Sequence, residues 1–376
     1  MTIQINGFCD PRFAAVKAAF ENNFREHGDL GASVAITLEG EFVVDLWGGH
    51  LDEERTQNWQ EDTLVNVWSS TKTMAAMSLL LLADRGDVDL HAPAAHYWPE
   101  FSQNGKQAIK VRHFLSHTAG LSGMEEAVEG DALYDWDWMI NALARQEAWW
   151  EPGTQSGYHA LTQGHLIGEI VRRVTGQSIG NFFQQEIAEP TGADFHIGAG
   201  EDLDHRIGNL VPPAQMLSPS PGSIAGRTFA NPRVDPTEPR KRKWRAAEIP
   251  AANGQGNARS IVRAQTAMAN GGTAFGKSIM SEAGTKRVFE KQAEGMDLVL
   301  GVPLTFGLGY GLNSDLTPIS PNQNSCFWGG FGGSSIIVDQ DARLCFSYVM
   351  NKMESGLLGD PRGFGLAASM YASLQA

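Results

Sequence analysis

Ser69 and Lys72 stand three residues apart in Val67-Trp68-Ser69-Ser70-Thr71-Lys72, ahead of an apolar run that begins at Met74. At the start of a helix this spacing puts both side chains on one face. A serine hydroxyl is a poor nucleophile until a neighbour takes its proton. A lysine can do so only if its pKa falls toward neutrality, which burial and the positive end of a helix dipole both favour. The bare tetrapeptide also fits a plainer reading, a capping serine beside an exposed lysine. Two further segments bear on the choice.

Glu151 to Ala160 ends in Gly157-Tyr158-His159-Ala160 and leads into a helical pattern. A tyrosine on such a turn can project its phenol into a cleft. Beside a lysine the phenolate is favoured, so Tyr158 is expected as a base coupled to Lys72; the alternative is a packed tyrosine. Phe327-Trp328-Gly329-Gly330-Phe331-Gly332-Gly333-Ser334 carries four glycines that leave the backbone open to close approach. A backbone N–H from this stretch, with that of Ser69, would make an oxyanion hole. A bulged or hinged strand is the competing reading.

The elements that must position these groups follow from pattern. Asp10-Pro11 opens a helix running to about Glu26. Ser33–Leu38 and Phe42–Trp47 read as a hairpin about Glu39-Gly40-Glu41. Helical patterns cover residues 70–85, closed by Gly86, and recur near 132–146, 161–175, 179–187 and 258–269. Residues 211–239, rich in proline and glycine, read as a long irregular excursion. Strands are expected at 306–312, 334–338 and 344–350, then a helix from Pro361. This order predicts an α+β fold, an antiparallel sheet flanked by helices and built from both chain ends, with a helical lobe between them. The expected division is 1–66 with 290–376 for the sheet part and 67–289 for the mostly helical part, the two forming one catalytic unit.

The blocks together resemble the serine β-lactamase and penicillin-binding-protein superfamily, and within it the family VIII carboxylesterases of class C β-lactamase fold. The similarity runs from about Leu30 to the C-terminus. It includes the Ser69–Lys72 helix, Val88-Asp89-Leu90, Tyr97-Trp98-Pro99-Glu100-Phe101, the His-Thr-Ala-Gly-Leu segment at His117, Tyr158 to Thr162, Asn257-Ala258-Arg259 and Trp328-Gly329-Gly330. The resemblance implies Ser69 as the acylated nucleophile, Lys72 and Tyr158 as the coupled base, and oxyanion donors at the backbone of Ser69 and Phe331. The expected substrate pocket takes in Trp328, Gly329 and Gly330, with Tyr134 and His159. No metal and no cofactor is implied.

Two departures from the β-lactamases of this superfamily are informative. Ala160 stands where they carry an asparagine two residues after the tyrosine, and Trp328 where they carry a lysine that holds a substrate carboxylate. An indole removes that charge and adds apolar surface. The expected activity is therefore hydrolysis of small, short-acyl esters by a serine carboxylesterase. The alternatives are a β-lactamase or D-amino-acid peptidase, an acyltransferase of the same chemistry, or a non-catalytic sensor. The sensor is disfavoured because Ser69, Lys72 and Tyr158 are all present.

Composition narrows the classes further. The chain has 376 residues, 42% hydrophobic and 19% charged, with a formal net charge of −14. That charge argues against nucleic acid as a partner, and the basic run Arg240 to Arg245 reads as a solvated loop. No apolar segment reaches membrane-spanning length. The first residues lack a basic start followed by an apolar run, so the expected location is the cytoplasm. Cys9, Cys326 and Cys345 read as buried thiols. His113 and His117 are spaced as in zinc-binding helices but lack the accompanying glutamate, and read as structural. Trp136, Trp138, Trp149 and Trp150 fit core packing or an acyl pocket. No Gly-x-Ser-x-Gly occurs, and Gly307 to Gly311 is not a dinucleotide fingerprint. The oligomeric state is left open.

Overall fold

The computed structural model describes residues 3–216 and 218–375. Among them, nine strands form one antiparallel sheet. They are β1 (Ile5–Cys9), β2 (Gly31–Leu38), β3 (Glu41–Gly49), β4 (Ala293–Met296), β5 (Pro303–Phe306), β6 (Gly311–Leu312), β7 (Ser325–Gly329), β8 (Ser335–Asp339) and β9 (Leu344–Met350). Their order across the sheet is β1-β3-β2-β9-β8-β7-β6-β5-β4. The two ends of the chain thus meet at the centre, where Leu38 pairs with Leu344 and Ala32 with Met350.

β8 and β9 are buried at every residue, which requires cover on both faces. The helices α1 (Ala14–Glu26), α2 (Thr71–Arg85), α3 (Thr162–Thr175), α4 (Ala258–Ala269) and α5 (Pro361–Gln375) provide most of it. α4 packs on β2, β8 and β9, while α1 and α5 pack on each other and on β1 and β9. Helix α2 touches α3 and is buried from Thr71 to Leu82, so it has no solvent face until its last turn. No described helix is long and apolar enough to cross a membrane.

Several expectations hold closely. Asp10 caps its helix by accepting from the Arg12 N–H at 2.9 Å. The α4 and β9 boundaries match, and residues 211–239 are mostly irregular, broken by a short helix at Ile224–Ala230. Three features differ. The expected strand 306–312 is split into β5 and β6. Between them Gly309 (φ +88°) bends against α2, where a Cβ would strike that of Ala76. The glycine-rich stretch contains both of its candidate structures, because β7 runs to Gly329 and the turn begins at Gly330. The basic run is not a loop of free cations: Lys241 pairs with Glu238, Arg242 and Arg245 with Asp204, and Lys243 with Asp131.

Candidate active site

Ser69 lies in a single 3-10 turn, Trp68–Ser70, that feeds α2. Trp68 adopts a left-handed backbone (φ +47°), a conformation that costs a bulky residue about 1–3 kcal/mol. Its ring is held at 5.5 Å from both Trp244 and Phe331. One turn later Lys72 is buried, and its Nζ lies 3.2 Å from Ser69 Oγ. The same nitrogen donates to the carbonyls of Ala160 at 2.7 Å and Ala251 at 2.8 Å. On the other side of Ser69, the Tyr158 hydroxyl hydrogen-bonds the same Oγ. The structure therefore brings Ser69, Lys72 and Tyr158 into one cluster, with Nζ 4.6 Å from the centre of the phenol ring.

Burial acts on the protonation of both basic members of this cluster. No acidic side chain bonds to Lys72, and burial alone holds its pKa well below the ordinary lysine range. Burial likewise pushes the Tyr158 phenol up, and the Asp297 carboxylate adds to the push. Hydrogen bonding toward Ser69 and Trp328 opposes it only in part. The Trp328 indole N–H makes no hydrogen bond of good geometry, though it is close enough to the phenol to favour the ionised form slightly. Burial thus favours the uncharged form of each group. The three oxygens around Nζ, the carbonyls of Ala160 and Ala251 and Ser69 Oγ, match either the three N–H groups of an ammonium or the two N–H groups and lone pair of an amine.

The Tyr158 turn is gripped along its backbone. Gly157 N–H donates to the His117 carbonyl at 2.9 Å. Tyr158 N–H donates to Asp297 Oδ1 and His159 N–H to His117 Nδ1, each at 3.0 Å. The Trp150 indole backs the same turn, since a Cβ on Gly157 would collide with its ring.

Opposite the base, the glycine turn approaches the nucleophile. A methyl group on Gly330 would strike the Val67 carbonyl and the Ser334 hydroxyl, and would stand 3.3 Å from the Ser69 nitrogen. Among the described residues, neither the Ser69 nor the Phe331 N–H has a hydrogen-bond acceptor. The turn is anchored from behind by the guanidinium of Arg362, whose Nη2 donates to the Gly332 carbonyl at 2.8 Å. That guanidinium is buried and paired with Asp29 at 2.8 Å and Asp360 at 2.5 Å.

The remaining expected pocket residues divide. Trp328 stands beside Tyr158 at 5.6 Å between centroids and stacks on His117 at 5.7 Å, with Phe306 completing an apolar wall. Gly329 and Gly330 are buried next to it. His159 is different: it is wholly enclosed, donating from Nδ1 to the Gly157 carbonyl at 2.6 Å and accepting at Nε2 from Leu121 N–H at 3.0 Å. Burial lowers its pKa to about 3, so it braces the turn as a neutral ring. The hydroxyl of Tyr134 bonds to Glu238, and Lys243 lies 5.3 Å from its ring centre; neither partner belongs to the Ser69 cluster. Sequence reasoning missed Asp297, Ala251 and Arg362. Two of them act on backbone atoms far away in the chain and the third acts through its own carbonyl, so residue type gave no signal.

Comparison with known proteins identifies the family. The Beta-lactamase family profile matches residues 19–365. The chain is 35% identical to Esterase/beta-lactamase LipL of Mycobacterium tuberculosis, over 96% of this chain and 86% of that protein. The crystal structure of a family VIII carboxylesterase superposes with a TM-score of 0.93 at 41% identity, covering 98% of this chain and 100% of that one. A penicillin-binding protein homologue from Caulobacter crescentus superposes equally well, with a TM-score of 0.93 at 38% identity and the same coverage of both chains. With its antiparallel sheet, its flanking helices and a profile match over nearly its whole length, the chain belongs to the β-lactamase family of serine hydrolase fold.

Proposed function

We propose that this protein is a serine carboxylesterase acting on small, short-acyl esters through an acyl-enzyme on Ser69. The observation that carries the reading is the position of Ser69 Oγ, between Lys72 Nζ at 3.2 Å and the Tyr158 hydroxyl, with the Gly330 turn close to the Ser69 backbone nitrogen.

In the first half-reaction Lys72 accepts the Ser69 proton as Oγ attacks the ester carbonyl. The developing oxyanion is held by the N–H groups of Ser69 and Phe331. Tyr158 gives its proton to the departing alkoxide, leaving a phenolate close to the new ammonium. The burial that keeps both groups neutral at rest strengthens the attraction of this transient pair. In the second half-reaction the phenolate takes a proton from water as it attacks the acyl-enzyme. The Lys72 proton returns to Ser69 Oγ as the acid leaves, restoring the amine and the phenol. The two groups titrate as a pair.

The wall formed by Trp328, Phe306 and His117 supports neutral, apolar acyl groups, because it offers no cation to a substrate carboxylate. Hydrolysis of nitrophenyl acetate and butyrate by the wild type and Ser69→Ala, with nitrocefin assayed alongside, tests the reading. Ester turnover that vanishes in Ser69→Ala, with weak nitrocefin turnover, is expected. An organophosphonate should add its mass to Ser69. A labelled serine elsewhere, or a fully active Ser69→Ala, refutes the assignment.

A further inference from the structure

We propose that Asp297 is a positioning residue for Tyr158, by which the β4–β5 hairpin at the edge of the sheet sets the phenol of the catalytic cluster. The inference rests on the reading of Tyr158 given above.

Asp297 directly follows β4 and is 1% exposed. Its Oδ1 accepts three backbone N–H groups, from Tyr158 at 3.0 Å and from Val299 and Leu300 at 2.9 Å each. The last two bonds fold the hairpin tip around the carboxylate. The first reaches across to a segment 139 residues earlier in the chain. A second bond, from Leu298 N–H to the Ser156 carbonyl at 3.0 Å, joins the same two segments. The hairpin tip therefore seats the Tyr158 turn by two contacts, one of them to the tyrosine's own peptide. Ala160, two residues on, supplies a carbonyl to Lys72. Asp297 bonds the Tyr158 peptide itself, two residues before that carbonyl, so its grip falls on the phenol's own residue.

The carboxylate also acts through charge. The ionisable groups facing Tyr158 are Lys72 from α2, His117 from the 111–120 segment and Asp297 from the hairpin. Burial disfavours the charged forms of Lys72 and His117, while Asp297 opposes phenolate formation. Its Oδ2 is buried without a hydrogen-bond partner among the described residues.

Capping alone would make Asp297 a stability residue; positioning makes its effect depend on the phenol. The test is a cycle of Asp297→Ala, Tyr158→Phe and the double variant, with kcat and KM measured on nitrophenyl butyrate. Asp297→Ala is expected to lower kcat about 10- to 100-fold with little change in KM, the scale of an ångström-sized misplacement. In the Tyr158→Phe background the same substitution should cost less than about twofold, since the effect passes through the phenol. An equal loss in both backgrounds, or none in either, overturns the inference. Asp297→Asn keeps an acceptor and removes the charge, and covers the case in which Asp297→Ala does not fold. It should keep kcat within about threefold and move the alkaline limb of kcat/KM to lower pH; an unmoved limb overturns the inference. A Tyr158→Phe or Ser69→Ala enzyme with wild-type turnover would instead sink the catalytic reading itself.

Discussion

The carbonyl of Ala160 accepts from Lys72 Nζ at 2.7 Å, so the base is tied to the same short stretch of backbone that presents Tyr158. Ala251 supplies a second acceptor at 2.8 Å, and Ser69 Oγ lies 3.2 Å from the same nitrogen. Only the unprotonated amine can accept the Ser69 proton.

This arrangement fixes the sign of the pH dependence. Lys72 must be unprotonated to act, and burial lowers its pKa. kcat/KM should therefore rise with pH through a limb below the ordinary lysine range of about 10.4. It should fall only at higher pH, where Tyr158, whose pKa is pushed up, loses its proton. Lys72→Arg keeps a cation that cannot deprotonate and should cost a few powers of ten in kcat. A pH–rate profile of the wild type with no acid limb below pH 10 would contradict a neutral lysine base.

Gly330→Ala should disable the oxyanion hole while leaving the base intact. The added methyl meets the Val67 carbonyl and the Ser334 hydroxyl, so the turn must move away from the Ser69 N–H. Loss of one oxyanion donor costs about 10²–10³ in kcat. Affinity for a phosphonate transition-state mimic should fall in parallel with kcat/KM, while the circular dichroism spectrum stays unchanged. Wild-type turnover in this variant would exclude the glycine turn from the site.

Arg362→Met should destabilise the protein. It leaves Asp29 and Asp360 buried without their cation, a change that costs about 3–5 kcal/mol. It also frees the Gly332 carbonyl, so the folded fraction should show reduced kcat. Urea unfolding followed by fluorescence measures the first effect. A midpoint equal to wild type would show that the pair is not buried in solution.

Acid should weaken the fold before it protonates most carboxylates. Burial lowers the pKa of His113 and His165 to about 4 and that of His159 to about 3. The unfolded chain protonates each near 6.5, so between pH 6.5 and 4 it binds more protons than the folded chain. Stability then falls as pH falls, by up to about 1.4 kcal/mol per pH unit for each histidine. Urea unfolding at pH 7 and pH 5 should differ by several kcal/mol; equal midpoints would refute the argument.

The chemistry of the site was legible where a residue type and a short spacing suffice. Ser69 and Lys72 are one helical turn apart, and Tyr158 sits on a glycine turn. The protonation state was not legible, because it depends on what surrounds Lys72, and its partners are carbonyls that any residue can supply. Of the fold, β9 and α4 were read to the residue, their periodicity being unbroken. β1 and β4 were missed because Ile5-Asn6-Gly7-Phe8-Cys9 and Ala293-Glu294-Gly295-Met296 are short and mixed in polarity, and become strands only by pairing with a neighbour. His159 was read as a pocket residue from its place next to the tyrosine, and its burial was not legible from that position.

The pairing of Leu38 with Leu344, near opposite ends of the chain, has a consequence for biosynthesis. While the polypeptide is still emerging from the ribosome, β2 and β3 have no partner to close their open side. Helix α2 is likewise complete long before the surface that buries it exists. Such distant pairings are slow to form, and the ordered state must wait for the last segment to be translated. A nascent chain stalled before residue 344 would hold Ser69 and Lys72 already translated but exposed to water, with an ordinary charged lysine and no hydrolytic power.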